Sequence, residues 1–191
     1  MTSSIAVEIH GYLACPFAWR VRLGAAEKGV AAEWLPVEWG EDRSRAHNPD
    51  EHSPLLWHDG FALLESDLIV QYLDEAFEGP ALMPDSPRAR AELRFLAVQL
   101  RPLDVHTEPS RPAARRRSEP AVRVLEHALE GRPYLHGASP GLVDVLTWPF
   151  LADLGVRRLL PEDARGAAAY LARAAARPGF HETRPPWAQG L

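Results

Sequence analysis

The sequence predicts two compact domains of different class, an α/β domain with the element order βαβ-ββα and an all-helical domain after it. Three observations carry this. Short runs rich in β-branched and aromatic residues flank a single helical segment in the first third of the chain. The dipeptide Asp59-Gly60 sits between two apolar runs, a strong hairpin signal. From Arg88 onward, strand-like alternation stops and apolar residues recur at helical spacing.

The elements follow in order. Ile5 to His10 alternates and reads as a strand ending at Gly11, with a loop from Tyr12 to Cys15. Pro16 suits the first position of a helix, where a missing N–H costs nothing, and Gly29 closes that helix after Lys28. Glu33 to Trp39 is the second strand, and Pro36 implies an edge position for it. A polar connection from Gly40 to His52 leaves room for a short helix. Leu55 to Trp57 and Phe61 to Leu64 form the hairpin around Asp59-Gly60. Glu65, Ser66 and Asp67 then supply acceptors ahead of Leu68, Ile69, Val70, Tyr72 and Leu73, so a helix starts there and ends at Glu78-Gly79-Pro80. The first domain therefore spans 1–80, with a proline-rich linker over 81–87.

In the second domain, 88–191, the helical segments are Arg88 to Leu100, Glu119 to Glu130, Leu142 to Leu154 and Pro161 to Arg177. Pro102, Pro109 and Pro112 predict a broken or kinked stretch from Arg101 to Ser118, and Pro149 predicts a kink in, or the start of, the third helix.

Composition narrows the function. A net charge of -5 and a pI near 5.9 repel phosphate backbones, which argues against nucleic acid as a partner. The basic run Arg115-Arg116-Arg117 has no interleaved aromatics and reads as a solvated turn or helix end. No basic region with a following apolar run marks the N-terminus, and no apolar stretch reaches the ~18 residues of a spanning helix. A cytoplasmic protein with no membrane partner is the expectation. A single cysteine, Cys15, excludes an intrachain disulfide, and the histidines lack metal-ligand spacing. No metal is expected.

Cys15 is the chemically informative residue. A thiol at a helix N-terminus lies near unpaired N–H groups and the positive end of the helix dipole, which favour the thiolate. Free cysteine also serves as a small buried apolar residue. Glu65-Ser66 reads either as a helix cap or as an anion and ammonium site at a helix N-terminus.

Four motifs in order and spacing resemble the glutathione transferase superfamily across nearly the whole chain. They are Cys15-Pro16-Phe17 leading into Arg20-Val21-Arg22 and Lys28-Gly29-Val30; Asn48-Pro49 ahead of Ser53-Pro54; Glu65-Ser66 leading into Ile69 and Tyr72-Leu73-Asp74-Glu75; and Asp144 in the second domain. The resemblance implies a thioredoxin-like N-terminal domain that binds glutathione as cosubstrate, a helical C-terminal domain, and a homodimer. Cys-Pro-Phe-Ala looks like the omega-like transferases or a related bacterial cysteine-type member, whose members favour thiol transfer and reductive deglutathionylation; conjugating classes use Tyr or Ser near this point.

Carried over onto these positions, the resemblance makes Cys15 catalytic, with Tyr12 a lower-ranked candidate. Ala18 stands where a dithiol motif would place its second cysteine. Ser53-Pro54 matches the family's cis-proline, which exposes the preceding backbone to the cysteinyl part of glutathione. Glu65 and Ser66 match the site for its γ-glutamyl end, and Phe17 and His52 fall near further glutathione contacts. Asp144 matches a capping motif of the core helix, with Gly141 where Ser or Thr normally stands. Trp39, His106 and Trp148 are candidates for lining an acceptor pocket, although aromatic residues at such positions more often pack in a core.

Three functions stay open at this level. Thiol transfer through Cys15 on a disulfide or glutathionylated substrate leads; the second is glutathione-dependent conjugation or isomerisation of a small electrophile, with glutathione itself as nucleophile. A non-enzymatic interaction module is the third, since proteins of this fold include bacterial regulators that bind RNA polymerase. The same pocket also suits a different low-molecular-weight thiol.

Overall fold

The computed structural model describes residues 7–38, 48 and 52–191. Trp39, Pro49, the start of the first expected strand and most of the 40–51 connection lie outside the described residues. Two compact units are present, 1–80 with 183–186, and 81–182 with 187–191.

The first unit is built on a mixed sheet. Its strands are β1 (Val7–Gly11), β2 (Ala32–Pro36), β3 (Leu55–His58) and β4 (Phe61–Leu63), in the spatial order β2-β1-β3-β4. β1 pairs with β2 in parallel, Ile9 opposite Trp34, and with β3 antiparallel, Ile9 opposite Leu56. Pro36 therefore lies on an edge strand, as its missing N–H predicts. Asp59 and Gly60, at φ 48° and 76°, make the turn that returns β3 to β4, and positive φ at both positions is what a two-residue hairpin requires.

Helix α1 (Pro16–Lys28) ends at Gly29, as expected, and α2 (Ser66–Ala76) packs beside it. Trp19, Val21 and Leu23 from α1 and Ile69, Val70 and Leu73 from α2 are buried with Val7, Ile9, Leu55 and Leu56 of the sheet. Lys28 and Asp74, buried at 4% and 8% exposure, form an ion pair of 2.8 Å that ties the end of α1 to α2. Trp19 Nε1 donates to Thr183 Oγ1 at 3.0 Å, which brings the returning segment 183–186 into this unit. The arrangement is thioredoxin-like.

The second unit is helical: α3 (Pro87–Leu100), α4 (Arg111–Ala128), α5 (Leu142–Val156), α6 (Arg165–Ala175) and α7 (Pro178–Thr183), with 3-10 turns at Arg101–Leu103 and Pro186–Ala188. α5 is its core, since every residue from Leu142 to Ala152 is buried. At its N-terminus, Asp144 accepts from the backbone N–H of Leu135 at 2.8 Å, His136 at 3.2 Å and Gly141 at 2.9 Å, and from the Tyr170 hydroxyl at 2.6 Å. Gly141 offers no side-chain oxygen in return, so only the acid's half of a capping box forms. Burial pushes the Asp144 carboxyl above its ordinary pKa, against the pull of these hydrogen bonds. No helix among the described residues is long and apolar enough to cross a membrane.

One sequence expectation changes here. α4 begins at Arg111, eight residues before the predicted start at Glu119. Ser110 caps it by accepting from Ala113 N–H at 3.3 Å, and Pro112 falls in the first turn, where proline is tolerated. The basic run is thus a helix face: Arg115 donates to Arg158 O at 3.4 Å and Arg117 to Asp104 O at 3.0 Å. Pro149 lies inside α5 rather than at its start. Leu82 and Met83, within the expected 81–87 connection, are buried.

Candidate functional site

The site is built where β1 runs into α1. A Cβ at Gly11 would stand 2.9 Å from Ala18 Cβ and 2.9 Å from Ser53 Oγ. Only glycine lets α1 and the Ser53 segment close on the strand end together. With that approach made, Tyr12 N–H donates to Ser53 Oγ at 3.0 Å, and Cys15 N–H donates to Tyr12 O at 3.0 Å to turn the chain into the helix.

Cys15 is the N-cap of α1, with φ -74° and ψ 121°, and its side chain makes no capping hydrogen bond. Its sulfur is instead directed at the Ser53 carbonyl, Sγ to O 3.7 Å, and the residue is half-buried. The simple reading of Cys15 as a small core residue does not describe a thiol that borders a backbone carbonyl at a helix start.

The Ser53–Pro54 bond is cis, and Pro54 is buried. Asn48, 3% exposed, holds the approach to it: its Oδ1 accepts from His52 N–H at 2.9 Å and its Nδ2 donates to His52 O at 2.6 Å. The His52 side chain is exposed. The Asn48 motif thus has a local physical reason, which is to fix the backbone leading into Ser53.

At α2, Glu65 is the N-cap with φ 68° and ψ 106°, an uncommon backbone state for a residue with a side chain. Its carboxylate makes no capping bond and is exposed, while its carbonyl accepts from Ile69 N–H at 2.9 Å. Ser66 is the first helical residue and 5% exposed, so it is not the cap. Its hydroxyl accepts from Arg20 Nη1 at 3.4 Å, and the Arg20 guanidinium carbon lies 5.3 Å from the Phe17 ring centroid. The plain capping interpretation of Glu65-Ser66 therefore fails on geometry. An exposed acid with its backbone held at positive φ, beside a buried hydroxyl at a helix N-terminus, suits a zwitterionic amino-acid group, carboxylate to Ser66 and ammonium to Glu65.

The structure thus brings together Cys15, Ser53 and Pro54 by direct contact or sequence adjacency, and Ser66 with Phe17 through Arg20. Besides the Asn48 clasp, sequence reading misses two roles. The family resemblance gives a role only to the Ser53 backbone, yet the Ser53 hydroxyl ties down Tyr12. Arg20 stood in a quoted motif with no assigned role, since a contact 46 residues away along the chain leaves no local pattern.

The acceptor-pocket candidates fare differently. Trp148 is fully buried in the second unit between Tyr134 and Tyr170, ring centroids at 6.2 and 6.0 Å, so it packs in the core. His106 pairs with Asp104 on an exposed loop. A cavity of about 510 Å³ in the second unit is lined by Leu93, Leu96, His127 and Leu135 among others, and by none of residues 101–118. Among the described residues, no group of three or more His, Cys, Asp or Glu is placed to hold a metal ion.

Comparison with known proteins places the chain in a family. The family model for the glutathione S-transferase N-terminal domain matches residues 9–81. A probable glutathione S-transferase from rice, GSTU6, is 33% identical over 192 residues, covering 86% of this chain and 81% of the rice protein. The Tau class glutathione S-transferase of mango superposes with a TM-score of 0.81 at 25% identity, over 97% of this chain and 96% of its own. Maleylacetoacetate isomerase from Anaeromyxobacter dehalogenans, solved with glutathione bound in its active site, gives a TM-score of 0.75 at 30% identity, over 95% and 96% of the two chains. The omega-like or bacterial cysteine-type subclass expected from Cys-Pro-Phe is corrected by these relatives, which include plant enzymes of Tau class. Neither the thioredoxin-like sheet nor the thiol alone distinguishes one family from another, but the sheet, the motif order and a relative one-third identical over most of its length together do: the chain belongs to the glutathione S-transferase family.

Proposed function

We propose that the first domain, 1–80, binds glutathione and that the protein joins or isomerises small electrophiles through the glutathione thiolate. The observation that carries this reading is the Cys15 thiol at the α1 N-terminus, 3.7 Å from the Ser53 carbonyl on the cis-proline segment. Glu65 and Ser66 take the γ-glutamyl end, the Ser53 backbone takes the cysteinyl amide beside Pro54, and Phe17 and His52 border the bound peptide. The Cys15 thiol then donates a hydrogen bond to the glutathione sulfur. That donation favours the thiolate, the glutathione thiol giving its proton to solvent; the thiolate attacks an electrophilic carbon and either displaces a leaving group or is later eliminated after the carbon skeleton rearranges. Relatives named as transferases, and an isomerase with bound glutathione, support this order of the two chemistries over thiol transfer.

Thiol transfer stays as a second reading because the group at this position is itself a nucleophile and is not spent on capping. In it, the Cys15 thiolate attacks the glutathionyl sulfur of a mixed disulfide and expels the other thiolate. A second glutathione thiolate then attacks the Cys15–glutathione disulfide, releasing oxidised glutathione and restoring Cys15.

Replacement by serine separates them. In Cys15→Ser the hydroxyl still donates, so conjugation of 1-chloro-2,4-dinitrobenzene is expected to persist within about tenfold, the scale of one altered hydrogen bond. Reduction of a glutathione mixed disulfide should vanish in the same variant if it occurs in the wild type. Loss of conjugation in Cys15→Ser with a glutathionyl adduct on wild-type Cys15 by mass spectrometry would reverse the order of the two readings. A cytoplasmic homodimer with an 81–87 connection to a helical domain, 88–191, completes the proposal.

A further inference from the structure

We infer that the start of α4 and the end of α5, in the second unit, form a binding site for a small multivalent phosphate. Two arginines one turn apart on α4, Arg111 and Arg115, both donate to the Arg158 carbonyl oxygen, at 3.0 and 3.4 Å. Arg111 also donates to Arg157 O. The Arg158 side chain adds a third cation and Arg116, next to Arg115, a fourth; all four side chains are exposed. Capping the last carbonyls of α5 accounts for one guanidinium, not for four cations gathered in one place. The carboxylates close by are taken, Asp153 by Arg157 at 3.2 Å and Glu108 by Arg117 at 3.6 Å. Among the described residues, no ion pair joins Arg111, Arg115, Arg116 or Arg158 to a carboxylate.

Two local preferences are broken at this same place. The first turn of α4 holds no acid, and Arg111 opens the helix with Arg115 and Arg116 in the next turn, although the positive end of a helix dipole disfavours cations. Arg158 has φ 54° just past the α5 C-cap Arg157, where glycine is the low-cost residue. Both departures cost stability, and such departures collect where a ligand offsets them. A bound anion offsets the first directly, and the second keeps a cation where glycine would leave none. Guanidinium forks match phosphate oxygens, and Arg111 and Arg115 stand about 6 Å apart along the helix axis, so linked phosphoryl groups engage both. The net charge of -5 limits the size of the ligand. A long polyanion laid across this patch meets the acidic rest of the chain, whereas a small ion within a screening length of ~8 Å feels mainly these arginines.

The probe is tripolyphosphate, titrated by calorimetry at constant ionic strength, with orthophosphate as the comparison. Wild type is expected to bind tripolyphosphate about tenfold or more tightly than orthophosphate, the scale of one further charge-assisted contact. Arg158→Gly removes a cation but leaves the carbonyl that Arg111 and Arg115 hold, and glycine accepts φ 54° freely. That variant should melt no lower than wild type and bind tripolyphosphate about fivefold more weakly. Arg115→Gln should weaken binding by a similar factor, and Arg88→Gln, on α3 and paired with Glu92, should leave it unchanged. Vesicles carrying a phosphorylated inositol lipid separate the sources of the phosphate. Capture that tripolyphosphate reverses supports the site with a headgroup as its ligand, and no capture supports it with a soluble one. Capture that tripolyphosphate does not reverse overturns the inference. So do no binding of tripolyphosphate, affinity equal to that of orthophosphate, which means an adventitious ion only, and equal weakening by Arg88→Gln. Should Arg115→Gln unfold, Arg158→Gly decides, since a purely structural role for these arginines predicts unchanged binding in it.

Discussion

Two helix starts in this molecule use an acid in opposite ways. At α5, Asp144 is wholly buried and accepts from three backbone N–H groups and the Tyr170 hydroxyl, so its oxygens are fully engaged inside the protein. At α2, Glu65 is exposed, its carboxylate makes no capping bond, and its backbone is held at φ 68°. Both residues read as capping acids in a one-dimensional pattern. A saturated carboxylate holds a fold together, whereas one held in a costly backbone state with nothing to bind is held for something else.

The largest effect should come from breaking the saturated start. Asp144→Ala strands three backbone donors and a tyrosine hydroxyl in the core of the second unit. A loss of roughly 3 to 5 kcal/mol is expected, at the upper end for a single substitution because several buried groups lose their partner at once. Urea unfolding measures it, and whatever fraction stays folded should bind glutathione with unchanged affinity. A loss below about 1 kcal/mol would mean that water replaces the carboxylate and that the contrast between the two starts is false.

Ser66→Ala tests the other side at smaller scale. On the proposed binding mode it removes one hydroxyl bond to a charged ligand group, so glutathione is expected to bind about tenfold more weakly in calorimetry, with the melting temperature nearly unchanged. Glu65→Gly sharpens the comparison further. Glycine adopts φ 68° without a side-chain penalty, so the variant should gain about 1 kcal/mol of stability while binding glutathione less tightly. A variant that is less stable and binds normally would return Glu65 to a structural role.

The local parts of the fold were legible because local chemistry dictates them. Pro16 and Gly29 bracket α1, and Asp59-Gly60 makes the hairpin, each through its own backbone preference. α4 departs from its sequence expectation because its prolines read as breakers. Pro112 sits in the first turn, Ser110 supplies the cap, and Pro120 is accommodated inside a helix whose Ala121, Val122 and Leu125 are buried. In the site, Cys15 and Glu65-Ser66 were visible as residues at helix starts. Asn48 clasping His52, the Ser53 hydroxyl holding Tyr12, and Arg20 behind Ser66 were not assigned from sequence. The last two span 41 and 46 residues, and no periodicity or turn rule encodes a meeting made by tertiary packing between distant elements.

The Trp19 to Thr183 bond sets an order of events for a chain emerging from a ribosome. Every strand of the sheet and both of its helices are complete by residue 76, yet the indole of α1 waits for an acceptor made more than a hundred residues later. The first unit can assemble its sheet early, but it reaches its final buried state only when the end of α7 has been synthesised. Nascent chains halted before residue 183 would carry a formed thiol site on a domain still missing one of its internal stitches.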